Sequence, residues 1–325
     1  MSWESNISWQ TAKQRSTLIH LIRHFFYEKN IVEVETPILC QSTVTDVYLE
    51  SFSCNFNYSN DNKNKVPSKL YLQTSPEFAM KRLIASGYGS IFQLCKAFRH
   101  EEQGRYHNPE FSMLEWYRIG FDHFQLMDEV NELLQVTLQC KSAEKLTYQD
   151  AFLKYLNVDP LCCSIELLKT RLSENNVTGD WILEENDIDV LLQVLFSECI
   201  EPNIGKDRPC FIYNYPRNQA SLAKLCALDD RVAERFECYF KGVELANGFN
   251  ELTDLNEQLQ RFKCDNHKRK TLGKEEKTPD ELFLSALKSG LPNCSGVALG
   301  IDRLIMLAFD RTDIASTMTF NISNA

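Results

Sequence analysis

Three short stretches carry residue types that could do chemistry together. Glu244-Leu-Ala-Asn-Gly-Phe-Asn-Glu251 sets two carboxylates seven residues apart around an Asn-Gly turn. Phe98-Arg99-His100-Glu101 places a guanidinium two residues before a carboxylate, and Gly296-Val-Ala-Leu-Gly-Ile-Asp-Arg303 runs through glycines into Asp-Arg. Carboxylates can hold Mg²⁺, a guanidinium clamps phosphate through parallel N–H bonds, and glycines let a nucleotide approach backbone. Each stretch alone has a plainer explanation. Arg-x-Glu can be a surface ion pair on a hairpin, the spaced glycines a packing turn, and any single Glu a solvated side chain.

These residues need elements to position them. From Thr11 to Lys29 apolar residues at Leu18, Ile19, Leu21, Ile22, Phe25 and Phe26 predict an amphipathic helix. Ile31 to Pro37 alternates like a strand and is stopped by its proline. Residues 55–69 read as an Asn-rich loop, Leu70 to Pro76 as a strand, and Pro76 to Ala85 as a helix with Pro near its start. Ile91 to Phe98 and Glu110 to Tyr117 predict strands joined by the loop His100–Pro109, and Phe124 to Leu138 a further helix. Residues 143–203 read as a peripheral helical insertion in a single catalytic domain spanning 1–325. Pro209 to Tyr215 and Phe236 to Leu245 look like strands, and the charged run Asp265–Glu281 like a solvated surface segment.

At 325 residues, 43% apolar and 25% charged, the composition is that of a soluble globular chain with a sizeable core. The apolar run Ser16–Tyr27 is broken by His20, Arg23 and His24, which argues against a membrane span, and the start lacks the pattern of a secretory leader. Twelve cysteines are scattered without a Cys-x-x-Cys pair, favouring reduced thiols and a cytoplasmic location. With 35 basic and 45 acidic residues the net charge is −10. Such a surface repels phosphate backbones and favours a basic protein partner over a nucleic acid.

The longer run Arg105-Tyr-His-Asn-Pro-Glu-Phe-Ser-Met-Leu-Glu-Trp-Tyr117, following Phe98-Arg-His-Glu, resembles motif 2 of the class II aminoacyl-tRNA synthetases. Gly296 to Arg303 resembles their motif 3, and the helix and strand ending at Pro37 resemble motif 1, their dimer interface. Thr74-Ser-Pro-Glu77 with Glu244 to Glu251 points to the lysyl type. The resemblance implies an α+β fold, an antiparallel sheet flanked by helices, and a homodimer. It implies ATP contacts at Arg99, His100, Glu101, Asn108, Phe111, Glu244, Leu245, Gly300 and Arg303, with Arg99 and Arg303 catalytic. Arg99 would contact the α-phosphate, Glu101 the adenine amino group and Phe111 the base, while Arg303 would cover adenine and reach the γ-phosphate. Arg105, His107 and Asn108 would reach the outer phosphates. Mg²⁺ would sit on Glu237 and Glu244. Ser75, Pro76, Glu77, Glu115, Tyr117 and Glu251 would surround a substrate with two ammonium groups, which needs several carboxylates in one partly buried site.

Two departures narrow this. Lysyl-tRNA synthetases carry an anticodon-reading OB-fold, a barrel of roughly 70–100 residues, whereas 36 residues precede Pro37 here, so no such N-terminal domain is expected. Ala298 stands where those synthetases have the middle glycine of Gly-x-Gly-x-Gly, and an added methyl can change which isomer fits. Both features resemble the truncated paralogues that modify elongation factor P, the elongation factor P–(R)-β-lysine ligases, as does Glu-Pro-Asn-Ile-Gly-Lys206. The implied reaction joins ATP and (R)-β-lysine into an acyl-adenylate, then transfers the acyl group to a lysine of elongation factor P, with tRNA not a partner. A minimal lysyl-tRNA synthetase, a free-amino-acid ligase resembling asparagine synthetase, and a non-catalytic module remain as alternatives. The second would need Arg or Lys in place of Glu77, Glu115 and Glu251, and the third should have lost Arg99, Glu244 or Arg303.

Overall fold

The computed structural model describes residues 3–56, 69–100 and 103–325; most of the Asn-rich loop, and Glu101, lie outside the described residues. The chain divides into two units, Met1–Gly120 with Thr253–Ala325, and Phe121–Leu252.

The first unit opens with α1 (Trp9–Glu28), started by the Ser8 hydroxyl, which accepts from the backbone N–H of Thr11. Its buried stripe of Leu18, Ile22 and Phe26 is the one the periodicity predicts. The strand expected to end at Pro37 is only β1 (Val32–Glu33), paired parallel to β5 (Ile91–Phe98). Beyond it a single bond from Val34 N–H to the Phe92 carbonyl continues the ladder, and Pro37 has no N–H to extend it. Strands β2 (Leu39–Cys40), β3 (Ser53–Asn55) and β4 (Lys69–Leu72) form a small antiparallel sheet in the order β2-β4-β3. Helix α2 (Glu77–Ala85) precedes β5, and β6 (Glu110–Ile119) pairs antiparallel with β5 along its length. Phe26 of α1 stacks on Phe92 at 4.5 Å and meets Trp116 edge-on, which seats the helix on the sheet.

The second unit holds α3 (His123–Leu138), β7 (Glu144–Thr147), α4 (Tyr148–Leu156), α5 (Ile165–Glu174), α6 (Asp180–Glu184) and α7 (Ile188–Leu195). Strands β8 (Cys210–Pro216), β9 (Val232–Phe240) and β10 (Val243–Asn250) follow, ordered β10-β9-β8-β7 with only β7–β8 parallel. The stretch Phe236–Leu245, expected as one strand, is cut at Lys241-Gly242, whose φ angles of +52° and +71° make the two-residue hairpin turn joining β9 to β10. Residues 143–203 contribute β7 as well as helices. Tyr148, Phe152, Leu168, Leu191 and Phe196 bury themselves against Ile212, Tyr215 and Tyr239.

The chain then returns to the first unit with α8 (Leu255–Thr271), α9 (Glu281–Ser289), β11 (Cys294–Gly300) and α10 (Ile301–Ala308). β11 pairs antiparallel with β6, giving the order β1-β5-β6-β11. The run Asp265–Glu281 is not wholly solvated. Arg269 is 1% exposed, donates to the carbonyls of Asp46 and Glu275 at 2.7 Å and pairs with Glu50, which Lys277 also reaches. Among the described residues no helix is long and apolar enough to cross a membrane.

Candidate active site

Alternation along β6 puts Phe111, Met113, Glu115 and Tyr117 on one face and leaves Leu114 and Trp116 for the core beneath. Antiparallel register then sets Gly300 opposite Met113, Ala298 opposite Glu115 and Gly296 opposite Tyr117. Cross-strand partners share a face, so bulky and acidic residues on β6 are overlooked by small ones on β11. A Cβ at Gly300 would meet the Arg303 side chain first, at 3.5 Å, an ordinary van der Waals contact, so no clash within the protein requires that glycine.

At one end of this face, Arg99 follows β5 and its guanidinium lies 5.2 Å from the Phe111 ring. The backbone N–H of His100 donates to the Glu50 carbonyl, and its ring meets Phe52 edge-on at 4.9 Å. The loop after it is pinned from the C-terminal segment. Ile314 N–H donates to the Arg105 carbonyl at 3.1 Å, Arg105 Nε to the Thr312 carbonyl, and Ile322 N–H to Asn108 Oδ1 at 3.0 Å. The Asn108 amide also donates to the Glu110 carbonyl at 2.6 Å, so this buried side chain shapes the loop itself. Arg303, in the first turn of α10, donates to the Tyr106 carbonyl at 3.1 Å and lies 2.7 Å from His107 Nε2. Asp302 beside it is buried, accepting from Arg15 at 2.8 Å and from Ser112 N–H at 2.6 Å, which locks α1, β6 and α10 together. The sequence reading gave Asp302 no task.

Further along β6 the side chains gathered at this face change from basic to acidic. Glu115 is 2% exposed and accepts from Ser75 Oγ at 2.6 Å on one oxygen and from Tyr117 Oη at 2.7 Å on the other. Burial pushes its carboxyl up to about 7 and the charge of Glu77 adds to the rise, while the two hydroxyl bonds and Lys81 oppose it. Pro76 caps α2, and the Glu77 N–H that follows donates to Ser75 Oγ at 3.1 Å, so one serine fixes both the helix start and Glu115. Glu77 is held by Lys81, one turn along α2, at 2.6 Å. Lys81 escaped the sequence reading because lysine is ordinarily a surface residue; the i, i+4 spacing after Glu77 was the available signal.

In the second unit, Glu237 and Glu244 lie on the same face, since Glu244 registers against Tyr239 and Tyr239 lies two residues from Glu237. Glu237 accepts from Tyr215 Oη at 2.6 Å and from Tyr239 Oη, and is paired with Arg235. Its charge is thus matched by Arg235, and partly exposed Glu244 carries the oxygen chemistry a hard cation prefers. Mg²⁺ commonly takes one or two carboxylates plus substrate phosphates, so the donor set fits a metal at Glu244, with Glu237 as the anchored carboxylate behind it. Leu245, next to Glu244, is buried in β10, and Glu251 is 1% exposed, bridged through its backbone to Ala223. Gly205, in the Glu-Pro-Asn-Ile-Gly-Lys206 segment, packs against the end of β9 and the turn that follows it. Its φ is +61°, and its carbonyl accepts from Lys241 N–H at 2.7 Å.

A family model for class II tRNA synthetases (D, K and N) matches residues 2–324. The chain belongs to the class II tRNA synthetases. The α+β fold with mainly antiparallel sheets and flanking helices is the one expected; the stretches that resemble motifs 2 and 3 fall on β5 with β6 and on β11 with α10. Among its relatives, an elongation factor P–(R)-β-lysine ligase of Vibrio cholerae is 53% identical over 323 residues, covering 99% of this chain and 98% of that protein. Proteins of the same name from Pectobacterium atrosepticum and Pseudoalteromonas translucida are each 50% identical, over 325 and 323 residues, covering 100% and 99% of this chain and 98% of theirs.

Proposed function

We propose that this chain is an ATP-dependent ligase that activates (R)-β-lysine and transfers it to a lysine of elongation factor P. The observation that carries the reading is the buried Ser75–Glu115–Tyr117 network beside Glu77, with Ala298 directly across the sheet from Glu115. It is a carboxylate site for an ammonium group, narrowed by one methyl at the register position facing it. The near-full-length match to ligases of that name supports the same conclusion.

In the first step the β-lysine carboxylate attacks the α-phosphorus of ATP, forming the acyl-adenylate and expelling pyrophosphate. Arg99 would draw charge from the α-phosphate as it develops, held over Phe111. Phe111 and Glu101 would take the adenine base, His100, Leu245 and Gly300 would line the nucleotide, and Arg303 would work with His107 and Asn108 at its outer phosphates. Glu115 and Glu77 would receive the ammonium nearer the carboxylate, and Glu251 the distal one. In the second step a neutral lysine ε-amino group of the acceptor attacks the acyl carbon and AMP leaves. Mg²⁺, held by Glu244 with Glu237 behind it, would neutralise phosphate charge. The single catalytic domain would comprise both units, with residues 143–203 supporting β8 and β9. The α1 face would form the homodimer contact, and the acidic chain would work in the cytoplasm. ATP–pyrophosphate exchange with (R)-β-lysine, (S)-β-lysine and α-lysine tests the reading: exchange should be fastest with the first, and a clear preference for α-lysine would overturn it.

A further inference from the structure

Glu77 is occupied by an ammonium of the protein's own. Lys81 Nζ lies 2.6 Å from Glu77 Oε1, and the lysine side chain is 1% exposed against 17% for the glutamate. The cation is walled by aromatic carbon. The Phe283 ring centre is 5.8 Å from Nζ, Phe283 stacks on Phe78 at 4.5 Å, and Phe262 lies beyond. A lysine sealed in this way is unusual unless its partner is fixed, and here the partner belongs to the amine site. The other groups facing Glu115 are Ser75, Tyr117 from its own strand, and the Cys95 thiol on β5; Ala298 and Gln93, its register partners, carry no charge. Two carboxylates and one ammonium leave one net negative charge when all are ionised.

We infer that Lys81 is the built-in counter-ion of the amine site, neutralising one carboxylate so that the pocket presents a single negative charge to a single substrate ammonium. This rests on the reading that Glu115 and Glu77 receive that ammonium. Two carboxylates confined in one buried site do not both ionise unaided. Without the lysine, Glu115 keeps its proton and offers a donor to a substrate group that is itself a donor. Lys81 touches no reacting atom in this account. It is a positioning residue acting through the charge state of Glu115.

The test is the pH profile of kcat/KM for (R)-β-lysine in ATP–pyrophosphate exchange, whose acid limb would follow ionisation of Glu115. Lys81→Met should move that limb to higher pH by about one unit or more, the effect of losing a nearby opposite charge, while KM for ATP stays put. Glu77→Gln should move it the other way, because a like charge is removed. Opposite shifts from neighbouring residues on one helix are not produced by loosened packing. An unmoved limb in Lys81→Met with a native circular dichroism spectrum overturns the inference. If that variant fails to fold, an unmoved limb in Glu77→Gln overturns it instead. Glu115→Gln separates the two levels: persistence of the acid limb there removes Glu115 as amine ligand, whereas its loss with no shift in Lys81→Met removes only the counter-ion.

Discussion

Replacing Glu115 by Gln keeps the shape of the side chain and removes its charge. Ser75 and Tyr117 each donate to a different carboxylate oxygen, at 2.6 and 2.7 Å, so one hydroxyl must turn to accept from the new amide. That local rearrangement costs about 1 kcal/mol, and loss of a charge-assisted bond to the substrate ammonium about 1.5–3 kcal/mol. The second figure corresponds to a roughly ten- to hundredfold fall in kcat/KM for (R)-β-lysine. With its carboxyl pushed up to about 7, Glu115 is ionised in about a tenth of molecules at pH 6 and about nine tenths at pH 8. The deficit of the variant should therefore widen severalfold between those pH values. Stability should run in the opposite sense. The native state holds a proton that the unfolded chain releases, so this group's contribution is full below its ordinary value of 4.5 and is lost as pH rises through about 7. The loss is on the order of 3 kcal/mol. Glu115→Gln should escape it and gain melting temperature relative to the unaltered protein at pH 8 but not at pH 4. Pyrophosphate exchange and thermal melting read both effects. An equal activity deficit at pH 6 and pH 8, or none, would rule out ionised Glu115 as a ligand of the substrate ammonium.

Other substitutions probe the remaining parts of the site. Arg99→Ala should abolish pyrophosphate exchange with an unchanged melting midpoint, since the guanidinium acts on the transition state rather than the core; near-normal exchange would remove it from the mechanism. Ala298→Gly should enlarge the space opposite Glu115 and shift the ratio of α-lysine to (R)-β-lysine activity upward by about ten- to two-hundredfold at most, the worth of about 1–3 kcal/mol; an unaltered ratio would clear Ala298 of any part in selectivity. A Cβ at Gly205 would stand 2.5 Å from the Tyr239 carbonyl oxygen at a φ of +61°, so Gly205→Ala should cost about 2–4 kcal/mol in urea denaturation. It should also raise KM for ATP, because Tyr239 supports Glu237; a wild-type midpoint would contradict this.

Elements governed by local rules could be read from the residues alone. The apolar stripe of α1, the long β5–β6 pair and the Gly-rich entry into α10 each carry their own periodicity or cap. What escaped depended on distant partners or on backbone conformation. Lys241-Gly242 divides Phe236–Leu245 because both residues adopt positive φ, which apolar spacing does not reveal. Arg269 looks solvated in a charged run, yet Glu50 and the carbonyls of Asp46 and Glu275 draw it inside. Glu77 and Glu115 stood out by their match to motif positions, but Lys81, which pairs with Glu77, was hidden by its residue type. Glu237 read as a metal ligand from its match to the family, while Tyr215 reaches it only by the pairing of β8 with β9, and Tyr239 only by lying two residues along β9 on the same face.

The proposed acceptor of the acyl group is a protein lysine. Incubation of the enzyme with ATP, Mg²⁺, (R)-β-lysine and elongation factor P, followed by intact-mass spectrometry, tests it directly when tRNA charging is followed in parallel. Elongation factor P should gain one β-lysyl unit on a lysine side chain while tRNA stays uncharged. Efficient charging of tRNA, with elongation factor P unchanged in mass, would contradict it and leave a minimal lysyl-tRNA synthetase in its place.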